Sequence, residues 1–422
     1  MTRRWSALAL ALALAGSTAG AAHADTILDG SSGGAFFRIV VPTTWNGDLV
    51  IFNHGFSLTP PAPVTDLGPL APLQLQEGYA VAASSYRELG WALFETKKDE
   101  VALFNAFKAN FGKPKRTFVT GASLGGLVTA QALEQVDLGV QAGTFPFCGA
   151  LAGSRSWDGA LDLRLVYDNV CAGVAGAAIP GGATGLPAPG FPLYPFTQTD
   201  LALAINACTG ILAPAVARTP DQAARLAKIL AVTTIPESFL LTDMGFATFG
   251  LSNLIFAPEK LAGKQGVGNI GVKYPDAAVN ATIQRVAADR KAAQRLKDFF
   301  TPSCDAPAKS KILTLHTDKD GLVVVEQERS YKSVISSSKL TQAVAIEAAP
   351  SHCGFTQAEL VAGWESLRGW VGTGTTPGPK PGPAQVQGLC SMLVAGGAAS
   401  GPCRIDPNYV IQSLDTRILR RP

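Results

Sequence analysis

The amino-acid sequence predicts an α/β protein with a doubly wound, mostly parallel sheet of about eight strands and a mainly helical cap. Apolar, β-prone runs alternate with helical patterns up to about residue 151 and again after residue 305. This alternation is typical of a parallel sheet covered by helices on both faces. The segment between the two parts breaks the alternation and is the predicted cap.

Residues 25–151 are predicted to form the first part of the core. Short runs rich in Val, Ile and Phe, bounded by turn residues, indicate strands. A long helical pattern from about Ala92 to Phe111 separates the third strand from the fourth. The predicted strands lie at 36–42, 48–55, 79–87, 116–123 and 143–151, with a helix at 124–136.

Residues 152–305 are predicted to form the cap, because Ala, Gly and Pro dominate its start and helical patterns follow. Residues 306–371 complete the core. Residues 372–422 begin with a Pro/Gly linker and end in a short tail. In the second core part we predict strands at 310–318 and 341–349, a helix around 324–337 and an amphipathic helix at 356–371.

The N-terminus has the pattern of a secretory signal peptide. Arg3 and Arg4 precede an Ala/Leu-rich run, and the residues 22–24 (AHA) form a small-x-small cleavage site. We therefore expect residues 1–24 to be removed and the protein to be secreted or periplasmic. No later segment appears in the sequence as a run of about 20 apolar residues, so no stable membrane anchor is expected.

The charge balance argues against nucleic acid as a partner. The net charge is +3, and removal of residues 1–24 takes away two arginines and no acid, which leaves +1. A nearly neutral chain lacks the basic surface that binds phosphate backbones. The C-terminal run RILRRP is predicted to be a solvated tail.

Seven cysteines follow the signal peptide, and in an oxidising compartment several should form disulfides. Their spacing shows no C-x-x-C pattern of a zinc or redox site. We expect Cys390 and Cys403 to join within the tail, and Cys171 and Cys208 are candidates for a bond within the cap. The odd number leaves at least one thiol free or intermolecular.

Residues 121–125 (GASLG) have the pattern G-x-S-x-G between a predicted strand and a predicted helix. In that setting the pattern is typical of a nucleophile elbow, which exposes a serine hydroxyl on a tight turn. Ser123 is therefore the candidate nucleophile, and it needs a general base. Of the histidines beyond the signal peptide, His54 ends a strand and His316 lies inside one, whereas His352 follows the last strand. His352 is the candidate base.

An acid between Ser123 and His352 would orient the imidazole and stabilise its cation. The segment that follows the strand at 310–318 offers Asp318 and Asp320. We favour Asp320, because it lies in the loop beyond the strand end, just before the turn into the next helix. Asp318 remains the alternative.

With a serine, an acid and a histidine in this order, and with His54-Gly55 after an earlier strand, the chain resembles the α/β-hydrolase superfamily. The resemblance covers about residues 30–150 and 305–372. It implies that two backbone amides form an oxyanion hole, one from Leu124 after the nucleophile and one from Phe56 in the loop after His54. His54 itself is expected to be structural.

Cys353 directly follows His352, and in this the chain resembles the feruloyl-esterase and tannase group, where a disulfide tethers the histidine loop. That group has a cysteine before its nucleophile, whereas this chain has Ala122. The resemblance therefore implies a different partner, and Cys148, at the end of a predicted strand, is a plausible one.

The predicted function is hydrolysis of a small-molecule or polymeric carboxylic ester by a secreted serine hydrolase. A peptidase or amidase of the same fold is one alternative, and a non-catalytic binding module is another, which predicts a broken triad. No cofactor or metal signature is present in the sequence. Aromatic residues of the cap are weaker candidates for substrate contact: Phe239, Phe246, Phe249 and Phe256.

Overall fold

The computed structural model describes the chain from residue 25 to residue 421, except for residues 140, 304, 374 and 375. The predicted signal peptide lies outside the described residues. Within them one sheet is formed by β1 Thr26–Ser32, β2 Ala35–Val41, β3 Asp48–Asn53, β4 Ala80–Ser84, β5 Arg116–Ala122, β6 Gln141–Phe147, β7 Ile312–Thr317 and β8 Leu340–Ala345.

The strands lie across the sheet in the order β1-β2-β4-β3-β5-β6-β7-β8. β2 is antiparallel to both of its neighbours, and the other adjacent pairs are parallel. All six residues of β3 are buried, as expected for a strand with helices on both faces. The predicted class, a mostly parallel sheet of about eight strands, is confirmed.

The edge strand β1 was not predicted from the sequence. Its run TILDGSS is polar and mostly exposed, so it has no apolar alternation to predict a strand. β1 forms because Gly33 and Gly34 turn the chain with positive φ values of 58° and 95°, which brings it alongside β2.

Helices cover both faces of the sheet and build the cap. The α-helices of the described residues are α1 Ala71–Gln76, α2 Thr96–Phe111, α3 Leu124–Gln135, α4 Arg155–Val170, α5 Gln198–Thr209, α6 Pro220–Thr233, α7 Leu240–Gly245, α8 Leu251–Phe256, α9 Ala277–Thr282, α10 Arg290–Asp298, α11 Gln327–Lys332, α12 Gln357–Val371 and α13 Pro383–Ala395.

The two faces of the sheet have separate apolar cores. Residues of α1, α12 and α13 pack with β3 to β8 on one face. Residues of α2 and α3 pack with β2 to β5 on the other. The predicted helix at 324–337 is shorter in the structure, where α11 spans six residues, and α2 begins at Thr96 rather than near Ala92. The chain before Thr96 instead bends through turns, with the Leu93 amide bonded to the Trp91 carbonyl.

The insertion between β6 and β7 consists of α4 to α10 joined by turns and loops, and its described residues contain no strand. A disulfide joins Cys171, at the end of α4, to Cys208 in α5. The apolar residues of the insertion share one core with α3 and with residues before α2. The cap is thus packed on the sheet close to the end of β5, where Ser123 lies.

One cap segment contradicts the expectation that no later stretch is long and apolar enough to span a membrane. Residues 237–256 form a continuous 20-residue helical segment, and its most apolar 18-residue window has a mean hydropathy of 1.4. It comprises a 3-10 turn, α7, a π-turn at Phe246–Gly250 and α8. Of its most apolar window, 61% is buried inside the protein, as in a core helix of a folded domain.

The C-terminal region is packed on the core, and the prediction of a solvated tail is wrong for Arg417 and Arg421, whereas Arg420 is exposed. A disulfide joins Cys390, in α13, to Cys403. Arg421 donates to Asp162 Oδ2 at 2.7 Å, and Arg417 donates to the Thr234 carbonyl at 3.1 Å. These carboxylate and carbonyl partners belong to the cap, far away in sequence, so the tail charges alone could not reveal them.

Glu100 gives the fold a dependence on pH. Burial first, and then the neighbouring Asp99 carboxylate, raises the pKa of Glu100 from 4.5 to about 8. Between these values the unfolded chain loses a proton that the folded chain keeps, so stability falls as the pH rises through this window.

We expect Glu100→Gln to remove this loss, because the amide stays neutral at every pH. At pH 8 the free energy of unfolding of the variant should exceed that of the wild type by a few kcal/mol, so the variant should unfold at a higher urea concentration. At pH 4.5 the difference in unfolding free energy should be small. Urea unfolding at both pH values measures this. If the free energy of unfolding changed equally with pH in both proteins, Glu100 would not be the source of the pH dependence.

Candidate active site

The chain turns sharply at Ser123, between β5 and α3. Ser123 has φ 57° and ψ −124°, a conformation that L residues seldom adopt. The turn is held by backbone bonds, because the Ser123 amide donates to the Phe147 carbonyl and the Ala150 amide donates to the Ser123 carbonyl. The side chain therefore leaves the end of β5 in a fixed direction.

The glycines of the motif are required by packing. A Cβ on Gly121 would lie 2.2 Å from the Gly125 carbonyl oxygen, and a Cβ on Gly125 would lie 1.9 Å from the Asn53 carbonyl oxygen. Both contacts are with backbone and cannot be relieved by a side-chain rotation. The G-x-S-x-G spacing thus lets α3 start directly against β3 and β5.

Gly125→Ala is expected to cost about 3 kcal/mol or more of stability, because backbone must move to admit the methyl group. Gly369→Ala is the matched control. It adds the same methyl at an exposed position of α12 with no atom within 4 Å and should raise stability by up to about 1 kcal/mol. Thermal and urea unfolding of both variants measures the difference. A Gly125→Ala protein as stable as the wild type would contradict the packing argument.

Three side chains from different loops meet at the elbow. Ser123 Oγ lies 2.9 Å from His352 Nε2, and His352 Nδ1 lies 2.8 Å from Asp320 Oδ2 and 3.1 Å from Oδ1. Ser123 follows β5, Asp320 follows β7, and His352 follows β8, so the residues stand at the carboxyl ends of parallel strands. This is the arrangement of a serine nucleophile, its base and the acid that orients the base.

The chain has the α/β-hydrolase fold.

The α/β-hydrolase fold places Asp320, rather than Asp318, against the histidine. Asp320 is 1% exposed, and its Oδ1 also accepts the amides of Leu322 at 3.0 Å and Val323 at 2.8 Å. These bonds fix the carboxylate in the loop after β7. Asp318 instead accepts the Glu347 amide at 2.7 Å and so links that loop to the end of β8.

The other two histidines of the described residues have different surroundings. His54 stacks on Tyr86, with ring centres 4.1 Å apart, and its Nδ1 lies 2.8 Å from the Gly55 carbonyl oxygen. His316 is fully buried, with Nε2 2.7 Å from the Val323 carbonyl oxygen. Burial lowers the pKa of His316, but the hydrogen bond to Glu328 and the charge of Asp320 together raise it by more. The net shift of the pKa is therefore upward. His316 thus supports the acid loop from beneath.

A disulfide joins Cys353 to Cys148, with Cα atoms 5.3 Å apart. Cys148 directly follows β6, and its amide donates to the Leu315 carbonyl in β7. The bond therefore ties the loop of His352 to the centre of the sheet. Asp320, His352 and Cys353 have ligand atoms close together, but a sulfur in a disulfide offers no thiolate to a metal.

Removing this disulfide is expected to affect both stability and activity. It closes a loop of about 205 residues, for which chain entropy predicts about 5 kcal/mol. In the Cys148→Ala/Cys353→Ala variant, kcat should fall about tenfold, because the histidine loop loses its tether. Cys390→Ala/Cys403→Ala is the control, which removes a disulfide from the tail and should leave kcat within about twofold. Equal effects of both pairs on kcat would contradict the tether.

The predicted oxyanion residues flank Ser123. Leu124 and Phe56 line the same cavity as Ser123. Leu124 is the first residue of α3, so its amide has no acceptor within the helix. A Cβ on Gly55 would lie 3.3 Å from Ser123 Cβ, which shows how closely the loop of Phe56 approaches the serine.

The cavity beside Ser123 lies between the sheet and the cap, and its wall is mostly apolar. Of the four cap phenylalanines predicted to contact substrate, Phe246 lines the cavity and packs on Phe56, with ring centres 4.5 Å apart. The other three pack within the protein instead. Phe249 lies against Phe191 and Phe196, and the glycines at 321 and 190 leave room for the rings of Phe239 and Phe256, respectively.

Several residues of this wall were missed by the sequence analysis. Trp91 and Trp157 form an edge-to-face pair with ring centres 5.4 Å apart. Arg417 and Ile418 reach the cavity from the C-terminal tail. No local pattern marks them, because each is brought to the cavity by contacts distant in sequence. The same wall also contains the polar residues Ser156, Asp243 and Gln327.

Comparison with known proteins gives likenesses of structure only. No family model matches the chain, and no curated protein matches its sequence. An esterase from Aspergillus oryzae has 11% identity and a TM-score of 0.47, with 84% of this chain and 80% of that chain covered. Feruloyl esterase B from Aspergillus oryzae has 12% identity and a TM-score of 0.42, with 82% of this chain and 80% of that chain covered. Candida antarctica lipase A in its closed state has 12% identity and a TM-score of 0.39, with 86% of this chain and 82% of that chain covered.

Proposed function

We propose that the protein is a secreted serine hydrolase that cleaves carboxylic esters through an acyl-enzyme. The observation that carries the proposal is the hydrogen-bonded series Ser123–His352–Asp320 at the elbow. It opens into a cavity whose wall is mostly apolar, which suits the acyl chain of an ester. The non-catalytic alternative predicts a broken triad, and the described geometry gives it no support.

In the proposed mechanism Ser123 Oγ attacks the ester carbonyl carbon while His352 Nε2 takes the hydroxyl proton. Asp320 holds the Nδ1 proton of His352 and stabilises the imidazolium that forms. The amides of Leu124 and Phe56 donate to the oxyanion of the tetrahedral intermediate, a contribution of several kcal/mol for such donors. His352 then gives its proton to the leaving alcohol. A water molecule, deprotonated by the same histidine, frees the acid.

Secretion is supported by the three disulfides, Cys148–Cys353, Cys171–Cys208 and Cys390–Cys403. Such bonds form and persist in oxidising compartments. The seventh cysteine, Cys304, lies outside the described residues.

The test is a comparison of esters with amides that share the same acyl group. We expect p-nitrophenyl esters, from acetate to a long acyl chain, to be cleaved faster than the matched p-nitroanilides. A fluorophosphonate should label Ser123, located by peptide mapping. Faster cleavage of the anilides would favour the amidase. Neither cleavage nor labelling would favour the binding module, and a label on another serine would show that the nucleophile is wrong.

A further inference from the structure

A carboxyl group with one buried, unpartnered oxygen lies in the wall of the active-site cavity. Asp243, in α7, lines the cavity together with Ser123. The residue is only 9% exposed, and its Oδ1 atom is buried with no hydrogen-bond partner among the described residues. Burial of a polar atom that makes no hydrogen bond destabilises the folded protein. A group kept at such a cost, inside a substrate cavity, points to a partner that the substrate supplies.

The helical segment that carries Asp243 contacts both sides of the reaction centre. Four residues before it, the ring of Phe239 fills the space beside Gly321, which follows the triad acid. Three residues after it, Phe246 packs on Phe56 of the oxyanion loop. Asp243 is therefore fixed relative to the acid loop on one side and the oxyanion loop on the other.

Burial favours a neutral carboxyl at Asp243, and the two charges that act on it have opposite effects. The charged groups that act on it are Asp320 from the acid loop and Arg417 from the tail. Arg417 is already held by the Thr234 carbonyl and lies 3.8 Å from Glu326. Burial, and then the Asp320 charge, raises the pKa of Asp243 well above its ordinary value. A neutral carboxyl both donates and accepts a hydrogen bond, which matches a hydroxyl group.

We propose that Asp243 is a specificity-determining residue that hydrogen-bonds a hydroxyl group of the ester substrate. The inference rests on the proposed ester hydrolysis and narrows its substrates to esters with a hydroxyl on the acyl or the alcohol side. The competing ligand is an ammonium group of the substrate. It would pair with an ionised Asp243, whereas a hydroxyl group suits a neutral one.

The test uses matched esters that differ by one hydroxyl. Ethyl butyrate is compared with ethyl 3-hydroxybutyrate for the acyl side and with 2-hydroxyethyl butyrate for the alcohol side, by pH-stat titration. The wild type should prefer one hydroxylated ester about tenfold or more in kcat/KM, as one hydrogen bond allows. Equal rates across both pairs would overturn the proposal, whereas no cleavage of any ester would instead overturn the proposed function.

Two variants separate the hydrogen bond from the shape of the cavity. Asp243→Leu keeps a similar size without polar atoms and should bring the paired kcat/KM ratio to about one. Asp243→Asn keeps a neutral donor and acceptor and should retain most of the ratio. Phosphonate titration counts the folded active sites in each preparation. An unchanged ratio in Asp243→Leu would overturn the proposal, and so would a preference for ethyl 3-aminobutyrate that is lost in Asp243→Asn.

Discussion

Ser123→Ala is expected to lower kcat for ester hydrolysis by about 10⁵–10⁶-fold, since loss of a nucleophile removes the whole covalent route. The methyl group fits the elbow, because the turn is held by backbone bonds at Ser123 and not by its hydroxyl. The variant should therefore fold like the wild type and keep its affinity for ester. Initial rates, together with unfolding curves of both proteins, measure these two expectations.

The cavity supplies a matched control in a second serine. Ser156 lines the same wall, but its Oγ lies 3.4 Å from Gln327 Oε1, whereas His352 Nε2 lies 2.9 Å from Ser123 Oγ. Ser156→Ala removes the same hydroxyl from the same cavity and should lower kcat less than about tenfold. Comparable losses in the two variants would show that Ser123 has no special part in the reaction.

The order of elements along the chain was enough to predict the parallel part of the sheet and the members of the proposed triad. The alternation of apolar strands with helices specifies a parallel sheet, and strands of such a sheet end at one edge. Residues that directly follow the ends of β5, β7 and β8 must therefore lie near one another. This is why Ser123, Asp320 and His352 could be named before any distance was known.

The specificity of the site could not be predicted in the same way. Asp243 lies inside a helix and was one of several scattered acids of the cap. Only the packing of that helix between the acid loop and the oxyanion loop sets it apart. Arg417 and Ile418 reach the cavity because the tail folds back along α4, where Arg421 bonds to Asp162. Such contacts depend on cap and tail packing, for which sequence periodicity gives no signal.

The pairing of the cysteines could be predicted from the sequence only in part. Cys390 and Cys403 are close in sequence, and a local loop is the simplest closure. Cys148 and Cys353 are about 205 residues apart, and only the resemblance to a group with a tethered histidine loop suggested that they pair. The physical reason becomes visible in the fold, because β6 and β8 both end beside β7 and so bring the two residues together.

Asp320→Asn is expected to lower kcat by about 10⁴-fold at neutral pH. The Asn oxygen can keep the two bonds from the Leu322 and Val323 amides, which then turns its NH₂ group toward His352 Nδ1. Nδ1 must accept that bond, so Nε2 carries the proton and cannot take one from Ser123. The loss thus arises from the wrong tautomer in an intact site, and phosphonate labelling of Ser123 should slow in parallel with ester cleavage.

The neighbouring aspartate makes the experiment decisive. Asp318→Asn changes the same functional group two residues away, where the carboxylate accepts the Glu347 amide. Asn can accept that bond equally well, so kcat should stay within about threefold of the wild type. If Asp318→Asn lost more activity than Asp320→Asn, the acid would have been assigned to the wrong residue. If both variants kept full activity, His352 would need no carboxylate to orient it. The role given to Asp320, and with it the proposed triad mechanism, would then be wrong.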